Sequence, residues 1–154
     1  MKLFLVQHGE AKSEEEDPDR PLTDRGIRKT KKSAGWLGRQ HFNIEEILHS
    51  GRKRAGQTAE IFAARLAPAH GVAAAPGLNP DDDVFPMAGQ LADREETLMI
   101  VGHLPYLNRL AALLLTGNPA QSLIAFVNSG IVCLEREEGR WSIAWIVVPD
   151  LLPE

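Results

Sequence analysis

The chain has 154 residues, 44% of them apolar and 25% charged, with a formal net charge of −4 and one cysteine. That length suits one domain with one real hydrophobic core, and the composition is that of a soluble globular protein. The acidic balance disfavours nucleic acid or an anionic membrane as partner, and a lone thiol, Cys133, excludes an internal disulfide or a cysteine metal cluster.

No apolar run approaches the roughly 20 residues that span a bilayer. The N-terminal apolar run is too short for a signal-peptide core and has no small-residue cleavage site after it, so a cytoplasmic location is expected. Lys2 to Gln7 reads as a strand, because Leu3 to Val6 is short and continuously apolar, as in strands covered on both faces. It stops abruptly on Gln7-His8-Gly9. Residues 13–21, SEEEDPDRP, form a charged loop. Thr23 followed by Asp24 is a helix N-cap signal, and an amphipathic helix is predicted from there to about Gln40. Ile27, Thr30, Ala34 and Leu37 fall on its apolar side. Arg25, Arg28, Lys29, Lys31 and Lys32 fall on the other, which reads as a solvated face; docking of an acidic partner is the sharper alternative.

Glu46 to His49 is a short second strand, and a second helix runs from about Ala55 to Ala67, where Pro68 stops it. Val72 to Ala75 is a weak third strand, Gly77 to Asp83 a loop, and Val84 to Ala92 a short helix. Thr97 to Val101, TLMIV, has the clearest signature of a central strand. Gly102-His103-Leu104-Pro105 breaks it, and Pro105 suits the first turn of a helix through Leu115. Gly117-Asn118-Pro119 ends that helix. Ile131 to Glu135 and Trp141 to Val148 are strands joined through Glu138-Gly139-Arg140 as a hairpin. Trp141 and Trp145 read as packing residues and Cys133 as an inert core thiol. Strand and helix alternate without repeat or linker, and a hairpin closes the chain. The pattern predicts one α/β domain over residues 1–154. It is a three-layer α/β/α sandwich around a mostly parallel sheet with an antiparallel edge.

Two histidines stand at equivalent places in this pattern. His8 follows the first strand at once, and His103 follows the strand at 97–101. Open α/β sheets bind ligands in the crevice beyond the carboxyl ends of their strands. Two parallel central strands would therefore aim both imidazoles into one crevice. Gly9 and Gly102, beside them, permit a tight turn and close backbone approach to a ligand. A lone histidine is ordinarily a satisfied core or surface residue, as His41, His49 and His70 are read; a matched pair is not. No H-x-x-x-H or carboxylate spacing supports a metal site, and no cofactor is implied. Arg52-Lys53-Arg54 ends the second strand, where a guanidinium could hold a phosphate bidentately and the next helix adds its positive end. Histidines with arginine at strand ends suggest phosphoryl chemistry with imidazole as nucleophile.

The segments QHGEA (7–11), RPLTDRG (20–26), HSGRKRAGQTA (49–59) and VGHLP (101–105) occur in the order and spacing of a known family. Over nearly its whole length the chain resembles the histidine phosphatase (phosphoglycerate-mutase-like) superfamily. The likeness is greatest to the small bacterial SixA-type phosphohistidine phosphatases. The resemblance implies that His8 is the nucleophile that forms a phosphohistidine intermediate. It implies that His103 contacts the phosphoryl oxygens and that Arg54 binds phosphate. Arg20 matches a basic position near the substrate in this branch. Gln7 stands where the usual Arg-His-Gly has its first phosphate-binding arginine, so it departs from the pattern. Phosphoryl-transfer catalysis rests on positioning and positive charge. The nucleophilic ring must be neutral, with one nitrogen free and its other N–H anchored, for which a carbonyl in the turn at Gly9 is available.

A general acid is not evident. Glu10, beside the nucleophile, and Asp81 to Asp83 in the loop are the candidates. The lack matters less when the leaving group is itself an imidazole, which can depart protonated. Three functions are compatible with these residues. The first is a phosphatase acting on phosphohistidine in a protein, favoured by a short chain without large lid insertions. The second is a phosphomonoesterase acting on a small phosphorylated metabolite. The third, motivated by Gln7, is a phosphate- or phosphoprotein-binding module that has lost turnover.

Overall fold

The two apolar runs at 3–6 and 98–101 pair with each other, and the fold is built outward from that pair. A computed structural model describes residues 1–154. The elements are β1 (Lys2–Gln7), α1 (Asp24–Gly38), β2 (Glu46–His49), α2 (Lys53–Leu66) and β3 (Val72–Ala74). They continue as α3 (Phe85–Ala92), β4 (Leu98–Gly102), α4 (Tyr106–Thr116), β5 (Ile131–Glu137) and β6 (Arg140–Val147). A single sheet has the order β3-β2-β4-β1-β5-β6. The first four strands in that order are mutually parallel, and β5 and β6 are antiparallel additions at one side.

Alternation along the two central strands sends side chains into two cores. Leu3, Leu5, Leu98 and Ile100 pack on one face with Met87 and Leu91 of α3 and Leu107 and Leu110 of α4. Phe4, Val6, Met99 and Val101 pack on the other with Ala34 and Leu37 of α1 and Ala59 and Phe62 of α2. Helices thus cover both faces, as the three-layer reading expects. The tryptophan of mid-β6 joins the second core, since Trp145 meets Phe4, Phe42 and Trp36 edge-on or tilted at 5.4–5.8 Å. Cys133 is buried, and burial pushes its thiol up to about 11, which keeps it an inert thiol at neutral pH.

Local chemistry sets the ends. The Thr23 side chain accepts the Gly26 N–H at the start of α1, as expected of this N-cap residue. Pro105 falls one place earlier than expected, at the N-cap of α4 and not within its first turn. The β5–β6 hairpin turns on Glu138 and Gly139, both at positive φ (51° and 75°). That is what a two-residue turn of the twist-matched type requires. The basic face of α1 is not simply solvated. Lys29 pairs with Asp150 at 2.7 Å and Lys32 with Glu154 at 3.2 Å, so the acidic C-terminal tail lies along it.

Candidate active site

Strand register brings the two histidines together. Gln7 is opposite Gly102 across the parallel β1–β4 pair, so the next residues, His8 and His103, leave neighbouring strands side by side. Their ring centroids are 5.1 Å apart, with the planes tilted by 51°. Adjacent strands lie about 4.8 Å apart, so the ring separation follows directly from strand adjacency.

Each ring is held from one side. The Nδ1 of His8 is 2.7 Å from the carbonyl oxygen of Gly9. A carbonyl only accepts, so Nδ1 carries the proton and donates, leaving Nε2 with a lone pair. The loop behind is tied down at several points. The His8 N–H donates to Gly102 O, Asn128 Nδ2 donates to His8 O at 2.8 Å, and the Ser129 N–H donates to Gln7 O. The Gly9 N–H donates to Thr58 Oγ1 at 2.9 Å, and that hydroxyl donates to Arg54 O. Both backbone polar groups of Gly9 are therefore engaged within the protein, so Gly9 positions His8 and offers no free N–H to a phosphate. A Cβ there would stand 2.7 Å from Thr30 Oγ1 and 3.2 Å from Gly26 O, so glycine is required by the crowding of α1. On the other ring, His103 Nε2 lies 2.6 Å from Ser50 Oγ, while its Nδ1 is buried without a partner.

Positive charge collects around this pair. Arg54, in the first turn of α2, is buried, and its Nε has no partner. No side chain caps that helix, so its positive end faces the same region. Arg20, at positive φ (49°), donates from Nε to Lys12 O at the closed base of the 12–21 loop. The exposed Arg52 donates to Asn79 Oδ1 at 3.0 Å. Burial, and then Arg20 and Arg52, push the Arg54 pKa down, with Glu14 of the acidic loop opposing. Burial pushes His8 down to about 4; the Gly9 bond opposes this, and Arg54 and Arg20 add to it. His103 is pushed down to about 3 by burial first, then by His8, Arg54, Arg52 and Arg20. Both imidazoles are neutral at pH 7. The crevice is a cationic pocket in which no carboxylate contributes to either histidine's shift.

The remaining sequence candidates fall around this centre. Gln7 directs its Oε1 to a buried position without a partner. Glu10 accepts from the Thr23 hydroxyl at 2.8 Å and so is tied to the start of α1. Asp81 is exposed, Asp82 accepts the Asn79 N–H, and Asp83 accepts the Phe85 N–H. Arg52 of the basic tripeptide acts on His103, and three further residues at this centre are Ser50, Thr58 and Asn128. Thr58 was within reach of helix periodicity, since it lies four residues after Arg54 on the same face. Asn128 was not, because it sits in an irregular stretch and its bond to His8 spans 120 residues.

A neutral, anchored imidazole beside a second one, ringed by guanidinium groups, is an arrangement suited to phosphoryl transfer through histidine. The chain belongs to the histidine phosphatase superfamily, whose branch 1 model matches residues 3–79. It is 29% identical to the phosphohistidine phosphatase SixA of Escherichia coli K12 over 97% of this chain and 94% of that one. It is 33% identical to an uncharacterized protein of Mycobacterium tuberculosis over 82% of each chain. A structure of the protein histidine phosphatase SixA complexed with tungstate superposes with a TM-score of 0.85, covering 97% of this chain and 98% of that one. A mycobacterial glucosyl-3-phosphoglycerate phosphatase complexed with VO3 has a TM-score of 0.72 over 94% and 97% of the two chains. At 17% identity, that likeness is one of fold.

Proposed function

We propose that this phosphatase removes the phosphoryl group from phosphohistidine in a protein. The observation that carries the reading is His8: Nδ1 donates to Gly9 O, so Nε2 is a free nucleophile beside His103. His8 Nε2 attacks phosphorus, the N–P bond of the substrate breaks, and the substrate imidazole leaves with the proton it already carries. The phosphorylated His8 ring keeps its Nδ1–H on the Gly9 carbonyl, which stabilises the positive charge the ring acquires. Water then attacks phosphorus, the His8–P bond breaks with its electron pair returning to Nε2, and both protons of the water leave on the product as dihydrogen phosphate. Arg54, the open end of α2 and His103 hold the phosphoryl oxygens, with Arg20 adding charge, and spread charge is what this transition state needs stabilised. Ser50 orients His103 and Thr58 orients the Gly9 turn.

The substrate class is supported by the acid that is missing. A sugar or alkyl phosphate releases an alkoxide that must be protonated, whereas Glu10 is engaged by Thr23 and Asp81 is exposed. A protonated imidazole needs no such help. The similarity to a phosphohistidine phosphatase over nearly the whole chain agrees with this. Small-molecule phosphatases share the fold at 16–17% identity, which makes a metabolite esterase the second reading. Gln7 in place of arginine brings hydrogen bonding without charge, so turnover is slowed and not abolished. Rapid acid-free quenching with a labelled phosphohistidine peptide tests the reading: label should appear on His8, stable to base and lost in acid. Label on another residue, or faster turnover of sugar phosphates than of the peptide, would refute it.

A further inference from the structure

Beside the active-site mouth, a groove runs between α1 and α2. It consists of two contiguous hollows that share Glu60 and Ile61. Its floor is apolar, formed by Leu22, Ile27 and Ile61. Its near end is walled by Gly51, Arg52 and Lys53 and its far end by Lys31 and Arg65. Against these four cations it presents one carboxylate, Glu60. The two cationic ends lie 12 residues apart on α2, about 18 Å at the helical rise. The near end belongs to the reaction centre, because Arg52 acts on His103 and Gly51 follows the Ser50 that bonds it.

The groove's cations have no carboxylate partner, and Arg52 meets only the neutral Asn79 amide. The ion pairs of the molecule involve Lys2, Lys29, Lys32, Arg94 and Arg136, and none of Lys31, Arg52, Lys53 or Arg65. The same helix shows how such charges are otherwise met, since Lys29 and Lys32 hold carboxylates of the chain's own tail. An apolar floor between two basic ends complements an amphipathic segment with acidic ends and apolar residues between them. We propose that the α1–α2 groove docks an acidic amphipathic segment of the phosphohistidine-bearing protein and so selects among substrates. The inference rests on the protein-phosphohistidine reading above. Docking there adds affinity remote from phosphorus and leaves the chemistry of a small substrate untouched.

The probe is a labelled helical peptide of about 15 residues, enough to span 18 Å. It carries leucines at i, i+4 and i+7 and glutamates at both ends; a second version has lysine for glutamate. Fluorescence anisotropy should give at least about ten-fold tighter binding of the glutamate version, weakening with salt. The double reversal Lys31→Glu with Arg65→Glu should remove that preference. It should leave kcat/KM for phosphoimidazole, a substrate too small to reach the groove, within about two-fold. Ile61→Ser should weaken peptide binding in the same way, with the fold checked by its melting curve. A phosphohistidine added at the near end of the glutamate peptide should be hydrolysed at least about ten-fold more efficiently than phosphoimidazole. Equal binding of the two peptides, or an acidic preference that survives the double reversal, overturns the proposal. So does failure of the docked phosphopeptide to outrun phosphoimidazole. If phosphoimidazole itself is not turned over, the function reading fails, and the binding measurements still decide the groove.

Discussion

The two ends of the one parallel sheet treat charge in opposite ways. At the amino-terminal end three cations hold carboxylates: Lys2 holds Glu135, Arg94 holds Glu46, and Arg136 holds Glu95. Arg136 also donates to the carbonyls of Leu91 and Arg94, which closes the loop between α3 and β4. At the carboxyl end Arg20, Arg52 and Arg54 have no ion-pair partner, and Gln7, Arg54 and His103 each leave a buried polar atom unmet. A buried cation without a partner costs stability, and a buried polar atom without a hydrogen bond costs about 1–3 kcal/mol. One end is arranged to hold the fold; the other is left short of negative charge, which under the proposed function a phosphoryl group would supply.

Substitutions at the two ends should therefore separate activity from stability. The largest effect is expected from His8→Ala, which should lower phosphohistidine turnover by about 10⁴-fold or more while the melting temperature is held or raised. Arg54→Ala should lower kcat/KM by about 10²–10³-fold, since it removes a charge-assisted contact to the transferring group, without loss of stability. Arg94→Ala at the other end should do the reverse: activity within two-fold and a stability loss of about 1 kcal/mol in urea titration. If Arg54→Ala and Arg94→Ala give the same profile, the contrast between the two ends is wrong.

Gln7→Arg sharpens the contrast by adding one more cation to the end whose cations are unpaired. A charge-assisted bidentate contact exceeds a neutral hydrogen bond by about 1–2 kcal/mol, so phosphate should bind roughly ten-fold tighter. Calorimetric titration with inorganic phosphate measures this, and unchanged affinity would mean that position 7 does not reach the anion. Removal of Arg20 or Lys12 in parallel tests whether either already fills the vacant place; a loss larger than the Gln7→Arg gain would say that it does.

The smallest effect is one of pH. Both histidines have folded pKa values, about 4 and about 3, below the unfolded value of about 6.5. Above pH 6.5 neither state is protonated and the pair adds no pH dependence. Below it the unfolded chain binds protons that the folded chain refuses, so stability falls as pH drops from 6.5 toward 4. The slope is at most about 1.4 kcal/mol per pH unit for each ring. Saturating phosphate should flatten that slope, because an anion between the rings favours their protonated forms. Chemical denaturation at several pH values, with and without phosphate, is the check; a slope unaffected by phosphate would place the anion elsewhere.

Much of this architecture was legible in the sequence, and for identifiable reasons. Leu3–Val6 and Leu98–Val101 are apolar on both faces because helices cover both faces of the strands, and Thr23 marked the start of α1 by its capping chemistry. His8 and His103 were legible as a pair because both end central strands. Less visible were the contacts that depend on distant chain segments. Ser50 meets His103 across 53 residues, and Asn128 comes from a stretch without helix or strand. Lys29 and Lys32 looked like a solvated face because their partners, Asp150 and Glu154, lie more than 120 residues away. Hydrophobic period reports burial, and it carries no record of which polar groups meet across the fold.

The central claim is that the cationic crevice at the carboxyl end receives the phosphoryl group. A crystal soaked in tungstate tests this most directly, because tungstate mimics the transferring phosphoryl group in charge and shape. The account predicts one anion within about 3.2 Å of His8 Nε2 and of a nitrogen of Arg54, and next to His103. An anion found only among Arg25, Arg28 and Lys32 on α1, with none between the two histidines, would contradict it.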